Sequence, residues 1–135
     1  MMSARSVVIN FHNSTFRTLS RGALSIDHGV FITRPPATIA PGARVHWQSD
    51  SNGVLTGTAG SVTYNFTGDL SGLENLPKPL RLTLHWVNPF AGSNSYEHTE
   101  PGFFRIRQRG GDGDNAVAEF TLDQIIDQSS SGGPL

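Results

Sequence analysis

The feature that most constrains this chain is a side-chain period of two, repeated in six separate segments and never replaced by a sustained 3.6-residue pattern. The segments are 6–12 (SVVINFH), 44–49 (RVHWQS), 61–67 (SVTYNFT), 80–87 (LRLTLHWV), 103–108 (FFRIRQ) and 116–122 (AVAEFTL). They are rich in Val, Ile, Thr and aromatic residues, which suit a half-buried pleated surface. Two weaker stretches, 24–29 (LSIDHG) and 30–33 (VFIT), read as a further strand or a bulged pair. Turn clusters separate the segments, among them RPP at 34–36, PG at 41–42, SNG at 51–53, PKP at 77–79 and GGDGD at 110–114. Proline presets φ in such turns and glycine or asparagine supplies positive φ. Many short strands at this spacing favour a sandwich or a closed barrel. The expectation is an all-β fold, a single-domain antiparallel β-sandwich of seven to eight or more strands.

A length of 135 residues fits one hydrophobic core. Residues 1–128 are read as the sandwich and 129–135 (SSSGGPL) as a flexible tail, with LDQIIDQ at 122–128 either adding a helical turn or extending the last strand. The longest apolar runs are too short to span a bilayer as helices, so membrane contact is expected to be peripheral. A net charge of −1 gives no long-range attraction for nucleic acid. The chain has no cysteine, hence no disulfide and no thiolate chemistry. Its opening, MMSARSVVINFH, lacks the apolar core and cleavage site of a secretory signal. The expected location is cytoplasmic, or external by another export route, with peripheral attachment to target-cell membranes.

Parity assigns faces. In 80–87, Leu80, Leu82, Leu84 and Trp86 share one face and His85 the other; in 61–67, Val62, Tyr64 and Phe66 share a face opposite Thr63 and Asn65. Arg105, Arg107 and Arg109 alternate and so project together. They form either a solvated face guarding a sheet edge or a grip for phosphate or carboxylate, which guanidinium groups hold in bidentate fashion.

Catalysis finds little support. The five histidines have no helical zinc spacing, and GDGDN at 111–115 lacks the downstream bidentate Glu of a calcium loop and reads as a hairpin turn. No nucleophile elbow is present, and convergence of Asp27, Asp50, Glu97 and Glu100 is not legible from spacing. No enzyme, metal or cofactor is expected. Aromatic residues beside polar turns stand out instead: Trp47 before QSDSNG, and Trp86, Phe90 and Tyr96 within HWVNPFAGSNSYEH. Trp47 and Trp86 are either large core residues or, like Phe90 and Tyr96, contact residues at a membrane, sugar or protein surface.

The run GTAG at 57–60, followed by LHWVNPFAGSNSY at 84–96, resembles the aegerolysin family, with its G-T-x-G and later W-x-C-P-W-G-S segment. The opening strand VVINFHN and the Pro-Gly turn before the central strands also fit, and the likeness runs from about residue 6 to 122. Asn88 stands where the family often has Cys, Phe90 where it has a second Trp, and Ala91 intrudes before Gly92-Ser93. The resemblance implies a small β-sandwich that binds membrane lipids, often with sphingolipid headgroups, and in some members recruits a separate pore-forming partner for cytolysis. On this reading the ligand residues are Trp47, Asp50, Trp86, Phe90, Asn94, Tyr96, Arg105 and Arg107, with Arg105 or Arg107 on a headgroup phosphate. A lectin-like module is the alternative, with Trp47 stacking on a sugar and Asp50, Asn52 and Asn94 bonding to it. A self-associating structural or crystal protein is a third reading.

Overall fold

The computed structural model describes residues 4–125, and these form ten strands in two five-stranded sheets. In chain order the strands are β1 (Ser6–Asn13), β2 (Thr18–His28), β3 (Val30–Thr33), β4 (Thr38–Ile39), β5 (Arg44–Asp50), β6 (Thr58–Thr67), β7 (Arg81–Asn88), β8 (Ser95–Thr99), β9 (Phe104–Gly110) and β10 (Asn115–Gln124). One sheet runs β3-β5-β1-β10-β9, the other β4-β2-β6-β7-β8. The described residues contain no helix, and β10 carries the LDQ of 122–124 as strand. The tail read at 129–135 lies outside the described residues.

The expected sandwich is present, with one departure from antiparallel pairing. The first and last strands lie side by side and parallel, Ser6 opposite Asn115 through Asn13 opposite Leu122. A parallel pair needs a long crossover, and here that crossover is the remainder of the fold. Each of the six expected strands appears within a few residues of its reading. The additions are β4, β8 and the first half of β2, which carries a register shift between Arg21 and Leu24.

Alternation builds the core. Val7, Ile9 and Phe11 of β1, Phe120 and Leu122 of β10, and Phe104 and Ile106 of β9 face Leu19, Val62, Tyr64, Phe66, Leu82 and Leu84 across the sandwich. Trp47 stands at the centre, its ring centroid 6.1 Å from those of both Phe11 and Trp86 and 6.4 Å from that of Tyr64. Trp86 is equally enclosed, and its Nε1 donates to Ser49 Oγ at 2.9 Å. Each buried aromatic of this size removes 150–250 Å² from water as an order-of-magnitude figure, about the largest single contribution a residue can make to such a core.

Candidate functional site

The strand ends sort the connections into two groups. At one end, called here the loop end, lie the β2–β3 turn at Gly29 and the connections 51–57, 89–94 and 111–114, together with Arg5. The opposite end carries the turns at 14–17 and 40–43, the long connection 68–80, and 100–103.

The glycines and small residues of 57–60 serve packing. A Cβ on Gly60 would sit 2.7 Å from Trp86 Cζ2 and 2.8 Å from Ser25 O, and one on Gly57 would strike the backbone of Asn88, Pro89 and Phe90. Register places Thr58 opposite Asn88 and Gly60 opposite Trp86. The GTAG run and the 84–96 segment are therefore neighbours, and their small residues make room for an indole and a tight backbone approach. Thr58 Oγ1 lies 2.8 Å from Ser49 Oγ, completing a polar chain that reaches the Trp86 indole.

This geometry corrects the reading of the tryptophans as ligand contacts. Trp47 is 0% exposed and Trp86 1%, so neither indole meets solvent at either end of the sandwich. Trp47 sits on the parity of Val45 and Ser49, the inward face of β5. The sugar-stacking platform of the lectin-like reading is thereby removed.

The connection 89–94 remains at the surface and is tightly built. Arg5 donates from Nη2 to Phe90 O at 2.6 Å and from Nε to Pro89 O at 3.3 Å, while its guanidinium lies 4.7 Å from the Phe90 ring centroid. Buried Asn88, which stands where the resembled family often has Cys, donates from Nδ2 towards Ser6 O, Gly113 O and Asp114 O at 2.9–3.2 Å. Asn94 Nδ2 donates to Gly111 O and Gly113 O at 2.8 and 2.9 Å, so this candidate ligand residue is committed to holding 111–114. Tyr96 likewise donates its hydroxyl to Gly111 O at 2.8 Å and packs edge-on against Phe120. Burial, with the nearby Asp112 charge second, pushes its phenol up to about 12. Phe90, Asn94, Arg5, Asp112 and Asp114 line an open cleft of about 310 Å³.

Two residues that the sequence reading passed over complete this end. Within 51–57, Thr56 Oγ1 donates to Gly53 O at 3.0 Å and pinches the loop, leaving Val54 87% and Leu55 68% exposed at its tip. Leu55 holds φ at 58°, a left-handed conformation that costs a branched apolar residue energy and that Asn or Gly adopts readily. The available signal was an aliphatic pair, VL, inside a run of Ser, Asn, Gly and Thr. Gly57 at the base of the loop packs on the backbone of 88–90, so this tip and Phe90 stand at the same end of the sandwich.

The arginines do not join it. Arg105 and Arg107 project outward from β9, as alternation requires, but Arg105 lies five residues from the Gly110 end, roughly 17 Å along the strand at a rise of about 3.4 Å per residue. Arg107 Nε donates to Asp123 Oδ2 at 2.7 Å. Asp50 is on the outer face of β5, where its Oδ1 accepts from Gln48 Nε2 at 2.8 Å. The combined grip of Phe90 loop and Arg105 or Arg107 on one headgroup is thus not what the strands bring together. Of the four carboxylates considered for chemistry, Asp27 and Glu97 flank His85 at 3.3 and 3.5 Å on the other sheet, while Glu100 pairs with His98 at 2.8 Å. No cluster of three or more His, Asp or Glu side chains suited to a metal occurs among the described residues.

With this geometry in hand, comparison with known proteins bears on the fold. A solved structure of the lipid-binding protein Nakanori superposes with a TM-score of 0.72, covering 91% of this chain and 73% of that one at 15% sequence identity. The chain shares the fold of a lipid-binding protein. An uncharacterized protein of Dictyostelium discoideum is 25% identical over 122 residues, which are 90% of this chain and 10% of that protein. This chain thus corresponds to about a tenth of that relative's length. No family model matches the sequence.

Proposed function

We propose that the protein docks peripherally on membrane lipid through the loop end, inserting the Val54-Leu55 tip with Phe90 beside it. The carrying observation is the exposed aliphatic pair Val54-Leu55, of which Leu55 holds a left-handed backbone conformation. For folding alone, Asn or Gly suits that position better, and backbone strain retained on a surface loop points to a role outside the fold. Exposed apolar residues clustered on one surface mark sites of membrane or protein contact. Full burial of each aliphatic side chain is worth about 1.5–3 kcal/mol, so the end supports reversible docking. The shared fold with a lipid-binding protein supports the same reading.

The aegerolysin resemblance adds the finer part of the proposal: a preference for sphingolipid-type headgroups, and cytolysis through a separate pore-forming partner. Co-sedimentation with vesicles of phosphatidylcholine alone, with added sphingomyelin, and with added sterol tests both levels. Pelleting with any of these supports lipid docking, and pelleting that needs sphingomyelin supports the finer preference. Failure to pellet with every composition overturns the function. Release of trapped dye by the chain alone would contradict the need for a partner.

A further inference from the structure

The outer face of the β3-β5-β1-β10-β9 sheet carries a basic trough that the loop end does not use. Register sets its layout: Arg44, His12, Thr121 and Arg107 are successive partners across β5, β1, β10 and β9. The next row on the same face contains His46, Asn10, Glu119 and Arg109. Neighbouring strands lie about 4.8 Å apart, so the backbones bearing Arg44 and Arg107 are separated by about 15 Å. Long basic side chains stand on the two flanking strands and shorter ones on the central pair, so the face dips along its middle. Two adjoining depressions of about 350 and 330 Å³ share His12, Arg44, Glu119 and Thr121 in their linings.

The charge there runs against the chain as a whole. Arg44, Arg107 and Arg109 stand along the trough with Glu119 in its lining and Asp123 beside Arg107, an excess of one positive charge in a protein of net charge −1. Arg107 and Arg109 are held over the sheet by exposed pairs to Asp123 and Glu119 at 2.7 and 3.2 Å. Exposed pairs of this kind are weak and exchange readily for a better acceptor. Arg44 forms no ion pair among the described residues, and its register partner is His12 rather than an acid. With Arg107 and Arg109 each paired to an acid, Arg44 is the guanidinium left without one among the described residues, and it stands beside an imidazole.

We propose that the trough binds an oxyanion of the phosphate- or sulfate-monoester class. Arg44 grips it from β5 and Arg107 from β9, with His12 and Thr121 donating at the floor. A tetrahedral monoester presents three acceptor oxygens and so serves guanidinium forks from two sides, whereas a carboxylate presents two coplanar oxygens and satisfies one. The row lies six residues along β1 from Ser6, about 20 Å from the loop end. If the loop end docks on lipid as proposed above, a headgroup of that same membrane does not reach the trough. The site itself does not depend on that docking.

The test is amide and imidazole NMR of the full chain titrated with inorganic phosphate, inorganic sulfate and glycerol phosphate, beside pelleting with phosphatidic acid vesicles. Saturable shifts centred on His12 and Thr121 are expected. Arg44→Gln and Arg107→Gln, both exposed positions, should each weaken binding by about tenfold to a hundredfold, since charged hydrogen bonds are at stake. Arg81→Gln, on the outer face of the other sheet, should leave it unchanged. Saturation by the soluble ions without Arg44-dependent pelleting supports the site with a soluble ligand. Arg44-dependent pelleting supports it with a lipid phosphomonoester. Absence of saturation and of Arg44-dependent pelleting, or equal weakening by Arg81→Gln, overturns the site.

Discussion

Replacing Val54 by Ser and Leu55 by Asn separates docking from folding. Both side chains are largely exposed, at 87% and 68%, so the folded protein gains almost nothing from their apolar surface. The change in folding stability should stay within about 0.5 kcal/mol, and Asn at φ 58° relieves backbone strain, which pushes the sign towards stabilisation. At a membrane the same side chains count fully. Taking about 2 kcal/mol for each complete burial and scaling by exposure, the pair contributes about 3 kcal/mol to docking. At 1.4 kcal/mol per tenfold, partitioning onto vesicles should fall by about a hundredfold. Vesicle co-sedimentation read beside urea denaturation measures both quantities on one preparation. A double variant that keeps its stability and partitions like the parent would refute the reasoning. So would a loss of docking produced instead by Phe16→Ser, since Phe16 is 63% exposed at the opposite end.

Three further outcomes follow from the packing. Gly60→Ala places a methyl group against Trp86 and Ser25 O, and overpacking of this kind should cost about 1–3 kcal/mol in urea denaturation; an unchanged midpoint would contradict the close approach. Trp86→Phe should destabilise more than Trp47→Phe by about 1 kcal/mol, because Trp86 Nε1 bonds Ser49 while Trp47 Nε1 is buried with no hydrogen-bond partner among the described residues; equal or reversed costs would count against the arrangement. The third concerns alkaline pH. Burial raises the phenols of Tyr96, to about 12, and Tyr64, higher still, from the ordinary 10.0. Above pH 10 the unfolded chain then holds fewer protons than the folded one, so stability is complete below that pH and falls as pH rises towards 12. Tyrosinate absorbance should develop only beyond pH 11 or together with unfolding, a pH between the two Tyr96 values; a simple titration near pH 10 in the folded state would contradict the burial.

Alternation made most of the fold readable, because one face of nearly every strand meets the core and the other meets water. It failed where that contrast is absent. In β8 the burial alternates only between exposed and partly exposed positions, so SYEHT carries no apolar stripe and reads as loop. In the first half of β2, Arg21 and Gly22 interrupt the pattern next to a register shift. The parallel union of β1 with β10 joins segments more than a hundred residues apart and leaves no local trace. Parity puts Trp86 on one face with Leu82 and Leu84, and the same argument puts Trp47 on one face with Val45 and Ser49. The polar turn beside Trp47 carries no information about which strand face the indole occupies. Val54 and Leu55 are illegible for the converse reason, since apolar residues inside a turn have no period to betray them. The family-like motifs are legible as packing in Gly60 against Trp86 and in Asn88 spanning three carbonyl groups.

With both tryptophans already buried, indole emission is a poor reporter of docking, whereas a cysteine-free chain accepts a single labelled site cleanly. The direct test is an environment-sensitive dye attached to Leu55→Cys, with Phe16→Cys as the opposite-end control, each mixed with sphingomyelin and sterol vesicles. The account predicts a blue shift and rise in emission at position 55 and no change at position 16. A shift at position 16 alone, or at neither position while the protein pellets with the vesicles, would contradict docking through the loop end.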